Sequence, residues 1–232
     1  MTQGNREKII NIIRNKDIQQ LIQENKWEKV FSTNVVPTEL QSDFAEFLIV
    51  DCGINCLKGM RSIPKDFFNT TEIREITIPK EIYTINQSAF FNCDYLKYVE
   101  FEKDSECKYL GAQAFQGCNS LDNLKLPDNL EGMGAKCFVD CSFLSTIVIP
   151  KGIKYLIDNT FKGCTNLKSI EIENEDFKYL GNGVFDGCIQ LKEIVFKGPS
   201  SKWRLINKEQ GWRPVKQKIT IKCDDKDIIY GE

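Results

Sequence analysis

Two stretches of the chain decide the fold: AFQGCNSLDNLKLP at 114–127 and CFVDCSFLSTIVIP at 137–150. Each places a Phe, a Cys, a Leu and two further aliphatic residues at the same intervals before a proline. The spacing returns from Phe90, Phe161 and Phe185, and a degraded copy begins at Phe67. The leading Phe residues step by 23, 25, 23, 23 and 24 residues, and a recurring period of this length indicates a repeat architecture.

Each copy closes on alternating apolar residues, as in Ile147-Val148-Ile149, and this alternation predicts a short strand with one buried face. A second apolar pair precedes each Phe, for example Ile153 with Leu156. Pro, Gly, Asp and Asn lie between the apolar segments and turn the chain. A single coil of this length cannot bury its own interior, whereas stacked coils share a core. The pattern therefore predicts a solenoid with columns of Phe, Cys and Leu or Ile.

The pattern AF-x-x-C-x-x-L-x-x-I-x-I-P, which residues 89–101 and 114–127 fit best, resembles the BspA-like leucine-rich repeat family. The similarity extends over about residues 57–223. It implies a leucine-rich repeat solenoid, α/β or mostly β, in which short strands stack in a right-handed curved coil behind an N-terminal helical cap. Three departures are visible: Thr70 replaces the first Cys, Cys137 replaces an Ala, and the proline is absent after Phe101, Ile172 and Phe196.

The ends of a solenoid expose its core and need caps. We expect an N-terminal helical cap at 1–45, a solenoid of about six repeats at 46–223 with a C-terminal cap from about 197, and a tail at 224–232. Residues 5–31 predict two helices, which either cap the first coil or form a separate partner-binding module. Residues 44–50 are interpreted as an irregular first strand. At the other end, Trp203 is expected to cover the last coil. Ile219 and Ile221 are expected to lie in a final strand, whose edge nearby charged residues protect from pairing with other chains.

The composition excludes several kinds of chemistry. The chain has no His, which removes Ser-His-Asp and Cys-His catalysis and any zinc site with imidazole ligands. Its net charge of −2 provides no excess of positive charge with which to bind the phosphates of nucleic acid. The glycines at 111, 181 and 183 are turn glycines rather than a phosphate-binding loop. We therefore expect no enzyme, no cofactor and no nucleic-acid partner.

The ten Cys residues allow three readings. The repeat places Cys93, Cys118, Cys141, Cys164 and Cys188 one coil apart, and no CxxC pair occurs, so we expect reduced core thiols, with a disulfide or a metal site as the alternatives. Residues 1–16 lack the apolar core of a signal peptide, and no apolar run is long enough for a membrane span. These features predict a cytoplasmic protein, while peripheral membrane association and export without a leader stay open.

The exposed positions of the Leu-x-x-Ile-x-Ile strands form the candidate binding face. Ladders of mixed charge are either an inert solvated face or a docking surface for a protein. Tyr98 is the best single anchor because Tyr is enriched at interface hot spots. The candidate protein-binding residues are Arg74, Glu75, Lys97, Tyr98, Glu100, Asp122, Asn123, Lys125, Lys168, Glu171, Lys192 and Glu193.

The functional hypothesis is a non-enzymatic, monomeric scaffold that binds another protein through this face. The family resemblance implies protein–protein interaction, and by analogy an intracellular regulator or adaptor, such as one acting on a protein phosphatase. The alternative from the same resemblance is a surface-exposed adhesin that binds a host or matrix protein, which would require export.

Overall fold

The computed structural model describes residues 1–24, 26–32, 36–53, 55–122, 124–214 and 217–231. Within this part the chain forms a solenoid of about seven turns behind an N-terminal helical cap. The predicted leucine-rich repeat solenoid is confirmed. The apolar side chains of cap and coils form one continuous buried cluster, which runs the length of the array.

The N-terminal cap consists of four short helices: α1 (Gln3–Ile13), α2 (Lys16–Gln23), α3 (Trp27–Ser32) and α4 (Gln41–Glu46). A 3₁₀ turn at Thr38–Leu40 precedes α4, and a π-helical turn at Phe47–Asp51 follows it. The N-termini of α1 and α2 are capped by the side chains of Thr2 and Asn15, which accept hydrogen bonds that the first turn would otherwise lack.

The strand predicted for residues 44–50 is wrong, because the segment is helical. Leu40, Phe44 and Leu48 are all buried and lie four residues apart, which is the spacing of one helix face. The intervening Ala45 and Phe47 are buried as well, so residues 44–50 form an apolar run that only Glu46 interrupts. Such a run does not distinguish a buried helix from a buried strand.

The repeats form two rows of short, mainly parallel strands. The first row comprises β2 (Glu75–Ile78), β4 (Tyr98–Phe101), β7 (Thr146–Ile149), β9 (Ser169–Ile172), β11 (Glu193–Phe196), β13 (Ile219–Lys222) and β14 (Ile228–Tyr230). The second row comprises β1 (Ser62–Ile63), β3 (Thr84–Ile85), β5 (Tyr109–Leu110), β6 (Gly132–Met133), β8 (Tyr155–Leu156), β10 (Tyr179–Leu180) and β12 (Asn207–Lys208). Equivalent residues lie in register, as where Ile147 pairs with Ile170 in the first row.

In the described part of the chain, both rows are interrupted near the middle of the array. In the first row β4 does not pair with β7, and in the second β6 does not pair with β8. The coil between β4 and β7 carries Asn123 where its neighbours begin their strands, with Asp122 just before it, and Asp and Asn disfavour strands. Gly132 in β6 gives its strand no side chain to pack. We call this interrupted region the seam. Beside the seam, the turns that carry the Phe residues of neighbouring coils remain hydrogen-bonded to each other; for example, Phe115 N donates to Cys137 O at 2.9 Å.

The predicted Phe column is confirmed, with one correction at its start. Five neighbouring pairs of buried rings stack at centroid distances of 5.1, 5.0, 5.6, 5.4 and 5.9 Å. The first ring of the stack is Phe68, not Phe67, which instead contacts it edge-on at 4.8 Å. Likewise Thr71, not Thr70, stands in the Cys column. The segment from Thr71 to Ile76 is one residue shorter than the equivalent segment of the other copies. Aligning the first copy by its strand residues therefore assigned the Phe position to Phe67, one residue too early.

The Cys column is held by a repeated hydrogen bond. In each of five coils the thiol donates to the carbonyl oxygen of the Phe one coil earlier, with S···O distances between 2.9 and 3.1 Å. The thiols are buried, and this burial raises the pKa of Cys188 to about 12. The column is therefore made of protonated thiols that link successive coils, and all ten Cys residues are free.

We expect thiol reactivity to follow this arrangement. In the native protein a thiol reagent should modify the exposed Cys52 first and the half-buried Cys223 next, while the eight buried thiols react only on unfolding. Titration with a chromogenic disulfide reagent before and after denaturation measures both populations. Fewer than ten thiols in the denatured, freshly isolated protein would indicate disulfides and contradict the reduced column.

The N-terminal cap covers the first coil, but the contact is made by its later helices. Phe31 of α3 packs edge-on against Phe67 at 4.5 Å and against Phe44 of α4 at 5.7 Å. Ser42 Oγ donates to Asp66 O at 3.0 Å. Behind this layer Ile9 of α1 and Ile18 of α2 are buried. The apolar stripes of α1 and α2 thus bury against α3 and α4, which in turn contact the array.

The C-terminal end is closed by aromatic residues around α5 (Ser200–Leu205). Trp203 is fully buried and contacts Phe196 at 5.5 Å and Trp212 at 6.1 Å, as predicted. Ile219 and Ile221 are buried in β13, also as predicted. However, β13 is not the last strand, because β14 pairs with it antiparallel within the segment expected to be a tail. Among the described residues, no helix is both long and apolar enough to cross a membrane.

Candidate protein-binding face

The structure places the predicted residues on the outward side of the first strand row. Three ladders run along this face, one for each exposed position of the repeat. Glu75 lies beside Tyr98, and Thr77 beside Glu100, in the register of β2 and β4. At the other end Glu193 lies beside Ser169, and Glu171 beside Val195. The seam separates these two groups, and Asn123 lies outside the described residues.

The C-terminal half of the face is largely neutralised by its own ion pairs. Glu171 pairs with Lys197 at 3.0 Å, and Glu193 with Lys222 at 2.6 Å. The hydrogen bond to Glu171 raises the pKa of Lys197, and the bond to Glu193 does the same for Lys222. Both pairs are partly exposed, so they add little stability. They leave few unmatched carboxylates on this half.

The N-terminal half carries exposed aromatic rings beside cations. The side chain of Tyr98 is 53% exposed, and Lys97 Nζ lies 4.9 Å from its ring centroid. The guanidinium of Arg74 lies 5.5 Å from the ring centroid of Tyr95, which is also exposed. Cation–π contacts hold such rings in place while leaving much of their surface open. Tyr98 is thus a pre-positioned aromatic side chain, as an anchor requires.

Tyr98 also lies between two depressions. The smaller, of about 360 Å³, is bounded by the sheet and by residues that follow the cap, including Ile49, Gly53 and Asn55. The larger, of about 1000 Å³, opens at the seam. Glu75, Tyr98 and Glu100 line both. We call the two depressions together the groove.

Part of this site was missed from the sequence. Ile49, Gly53 and Asn55, which follow the cap, contribute only because the cap packs against the first coils. Loop residues Glu102 and Asp104 reach the groove from the longest of the repeats. A different signal was visible but not used: the triplet Lys-Tyr-Leu occurs three times, at 108–110, 154–156 and 178–180. It places exposed tyrosines along the second strand row, as Tyr109 and Tyr155 show.

A comparison with known protein families concerns the repeats themselves. Residues 96–204, just under half of the chain, match the BspA type leucine rich repeat region in six copies. The repeats of this segment are similar to the BspA type. The resemblance stated from the AF-x-x-C pattern is therefore confirmed. No curated protein matches the chain.

Solved structures similar to this BspA-type array are bacterial. A leucine rich cell surface protein from Faecalibacterium prausnitzii is 24% identical with a TM-score of 0.48, over 58% of this chain and 42% of that one. A leucine rich repeat protein from T. pallidum is 24% identical with a TM-score of 0.43, over 56% and 71%. A pneumococcal vaccine antigen, PcpA, is 17% identical with a TM-score of 0.40, over 72% and 61%. This chain thus spans less than half of the first of these proteins, and scores of this size carry no functional argument.

Proposed function

We propose that this BspA-type array is a non-enzymatic scaffold that binds another protein through the outward face of its first strand row. The observation that carries the proposal is Tyr98, a half-exposed aromatic ring held by Lys97 beside a groove. Leucine-rich repeat arrays generally act as binding scaffolds, since stacked coils present an extended surface. In this proposal residues 1–45 and the segment from about 197 act as caps, and the chain works as a monomer.

For the setting, we propose an intracellular regulator or adaptor, with a protein phosphatase as one analogy-based partner. The ten free thiols support a reducing compartment, because exported proteins usually oxidise such a number of Cys residues. The adhesin hypothesis remains the competing proposal for a BspA-type protein. Protease treatment of intact cells separates the two, since only a surface-exposed array would be cleaved.

Affinity capture from the native cells tests the binding face. The bait is compared with its Lys97→Glu/Tyr98→Ala variant and with Tyr155→Ala, whose ring is 50% exposed on the second strand row. We expect the first variant to lose the captured protein, because truncating an anchor of this kind costs about 2 kcal/mol or more. Tyr155→Ala should retain it. Loss with Tyr155→Ala alone would place the interface on the other row and contradict the proposal.

A further inference from the structure

The groove has a one-sided charge. Its described lining contains six carboxylates and two lysines: Glu75, Glu100, Glu102, Asp104, Asp122 and Asp128, with Lys103 and Lys125. None of these eight side chains belongs to an ion pair in the described part of the chain. On the C-terminal half of the same face, the strand carboxylates Glu171 and Glu193 are paired. The unmatched negative charge is therefore concentrated where the surface is concave.

The smaller depression combines charge with an apolar wall. Ile49 and Ile76 line one part of it, and Glu75 and Glu100 line another. The register of β2 and β4 makes these two carboxylates diagonal neighbours, which separates their Cα atoms by about 8 Å. A long side chain with an aliphatic stem and a cationic end matches such a pocket, because its stem packs on the wall and its charge lies between the carboxylates.

The seam offers main-chain groups as well. Tyr98 N donates to Arg74 O and Glu102 N to Ile78 O, so alternate residues of β4 bond toward β2. The intervening Val99 and Phe101 direct their main-chain groups toward the seam, where both residues line the larger depression. Across the described residues of the seam, the coil that follows β4 bonds back to it only through Asp122 N, which donates to Lys97 O at 3.4 Å. An extended segment can bond strand main-chain groups of this kind wherever the neighbouring coil does not use them.

We propose that the groove binds an extended protein segment containing Arg, with one guanidinium seated between Glu75 and Glu100. This inference rests on the proposed function and specifies the chemistry of its partner. Arg fits better than Lys because its planar fork can bond two carboxylates at once. The same carboxylates repel phosphate groups, which favours a basic protein segment over nucleic acid or an anionic lipid surface.

Fluorescence polarisation with short labelled peptides tests the proposal on the full chain. The peptides consist of Gly, Ser and Thr with three Arg, three Lys or three Glu residues. We expect the Arg peptide to bind most tightly, the Lys peptide less tightly, and the Glu peptide not at all. Glu75→Gln/Glu100→Gln should raise the dissociation constant of the Arg peptide about tenfold or more, because each lost bond is to a charged group. Added salt should weaken the binding.

The matched control is Glu171→Gln/Glu193→Gln, which removes the same net charge from the same strand row outside the groove. It should leave the affinity for the Arg peptide within about twofold, since those carboxylates are already paired. An equal loss in both double variants would reveal only general electrostatic attraction and overturn the proposal. Failure of the Arg peptide to bind would overturn it too, while Tyr98-dependent capture from cells would still support the broader function. Unfolding midpoints of both variants establish that they fold.

Discussion

Phe138→Ala is expected to lower the free energy of unfolding by about 3 to 5 kcal/mol. The ring is fully buried and stacks on Phe115 at 5.6 Å and on Phe161 at 5.4 Å. Its removal leaves a cavity between two coils that cannot approach each other, because their strands and turns fix the spacing. Chemical denaturation monitored by circular dichroism measures the difference.

The control for this prediction is five residues away. Phe143 lies in the same coil and is 61% exposed, so Phe143→Ala should change the free energy of unfolding by no more than about 0.5 kcal/mol. The two variants thus compare the stability lost by a Phe→Ala substitution inside the Phe column with that lost outside it. A loss below about 1 kcal/mol for Phe138→Ala would show that the column is not tightly packed.

Removal of residues 1–31 is expected to leave an unstable or aggregating array. The deletion uncovers Phe67, which packs against Phe31 in the intact protein, and exposes the apolar side of the first coil. Covering a few hundred Å² of apolar surface is worth several kcal/mol at about 25 cal/mol per Å². The whole net stability of a domain is only about 5 to 15 kcal/mol. Size-exclusion chromatography and thermal unfolding of the truncated chain measure the effect.

Gln19→Ala, at an exposed position of α2, should leave both measurements unchanged and controls for changes within the cap. If the truncated chain instead stays monomeric with the same unfolding midpoint, the helices are an independent module. They would then replace the strand face as the first place to look for partner binding.

The repeat was predictable because its period is carried by residues that are all buried. Phe90, Cys118 and Leu144, one residue from each column, are all fully buried, so the sequence repeats wherever the packing repeats. The error at the first copy has a local cause. Phe67 and Phe68 are both apolar and both buried, so neither property shows which one occupies the Phe column. The backbone does show it: Asp66 and Thr70, two residues before and two after Phe68, have positive φ, and so do the equivalent residues of later coils.

The groove was not predictable in the same way. Its residues come from four parts of the chain that no local pattern connects: the turn after the cap, strands β2 and β4, the loop at 102–105, and described residues of the segment 122–129. Glu100 was identified as exposed from the strand alternation, but its position beside Gly53 depends on how the cap packs. Among the described residues of the seam, 124–126 form no strand, and the polar residues before them were interpreted only as part of the exposed face.

The seam also determines how the array responds to force. Backbone ladders resist the separation of neighbouring coils, and in the described part of the chain both strand ladders are interrupted near the middle of the solenoid. On the remaining side the turns stay bonded, as where Phe138 N donates to Thr160 O at 2.9 Å, and the stacked rings of Phe115 and Phe138 continue past the break. The array should therefore bend most easily at the seam. The stacked Phe turns would stay in contact, and the coils would separate on the opposite side, which carries the strands. The array behaves mechanically as two stiff blocks joined along one edge, and the mouth of the groove lies where they part.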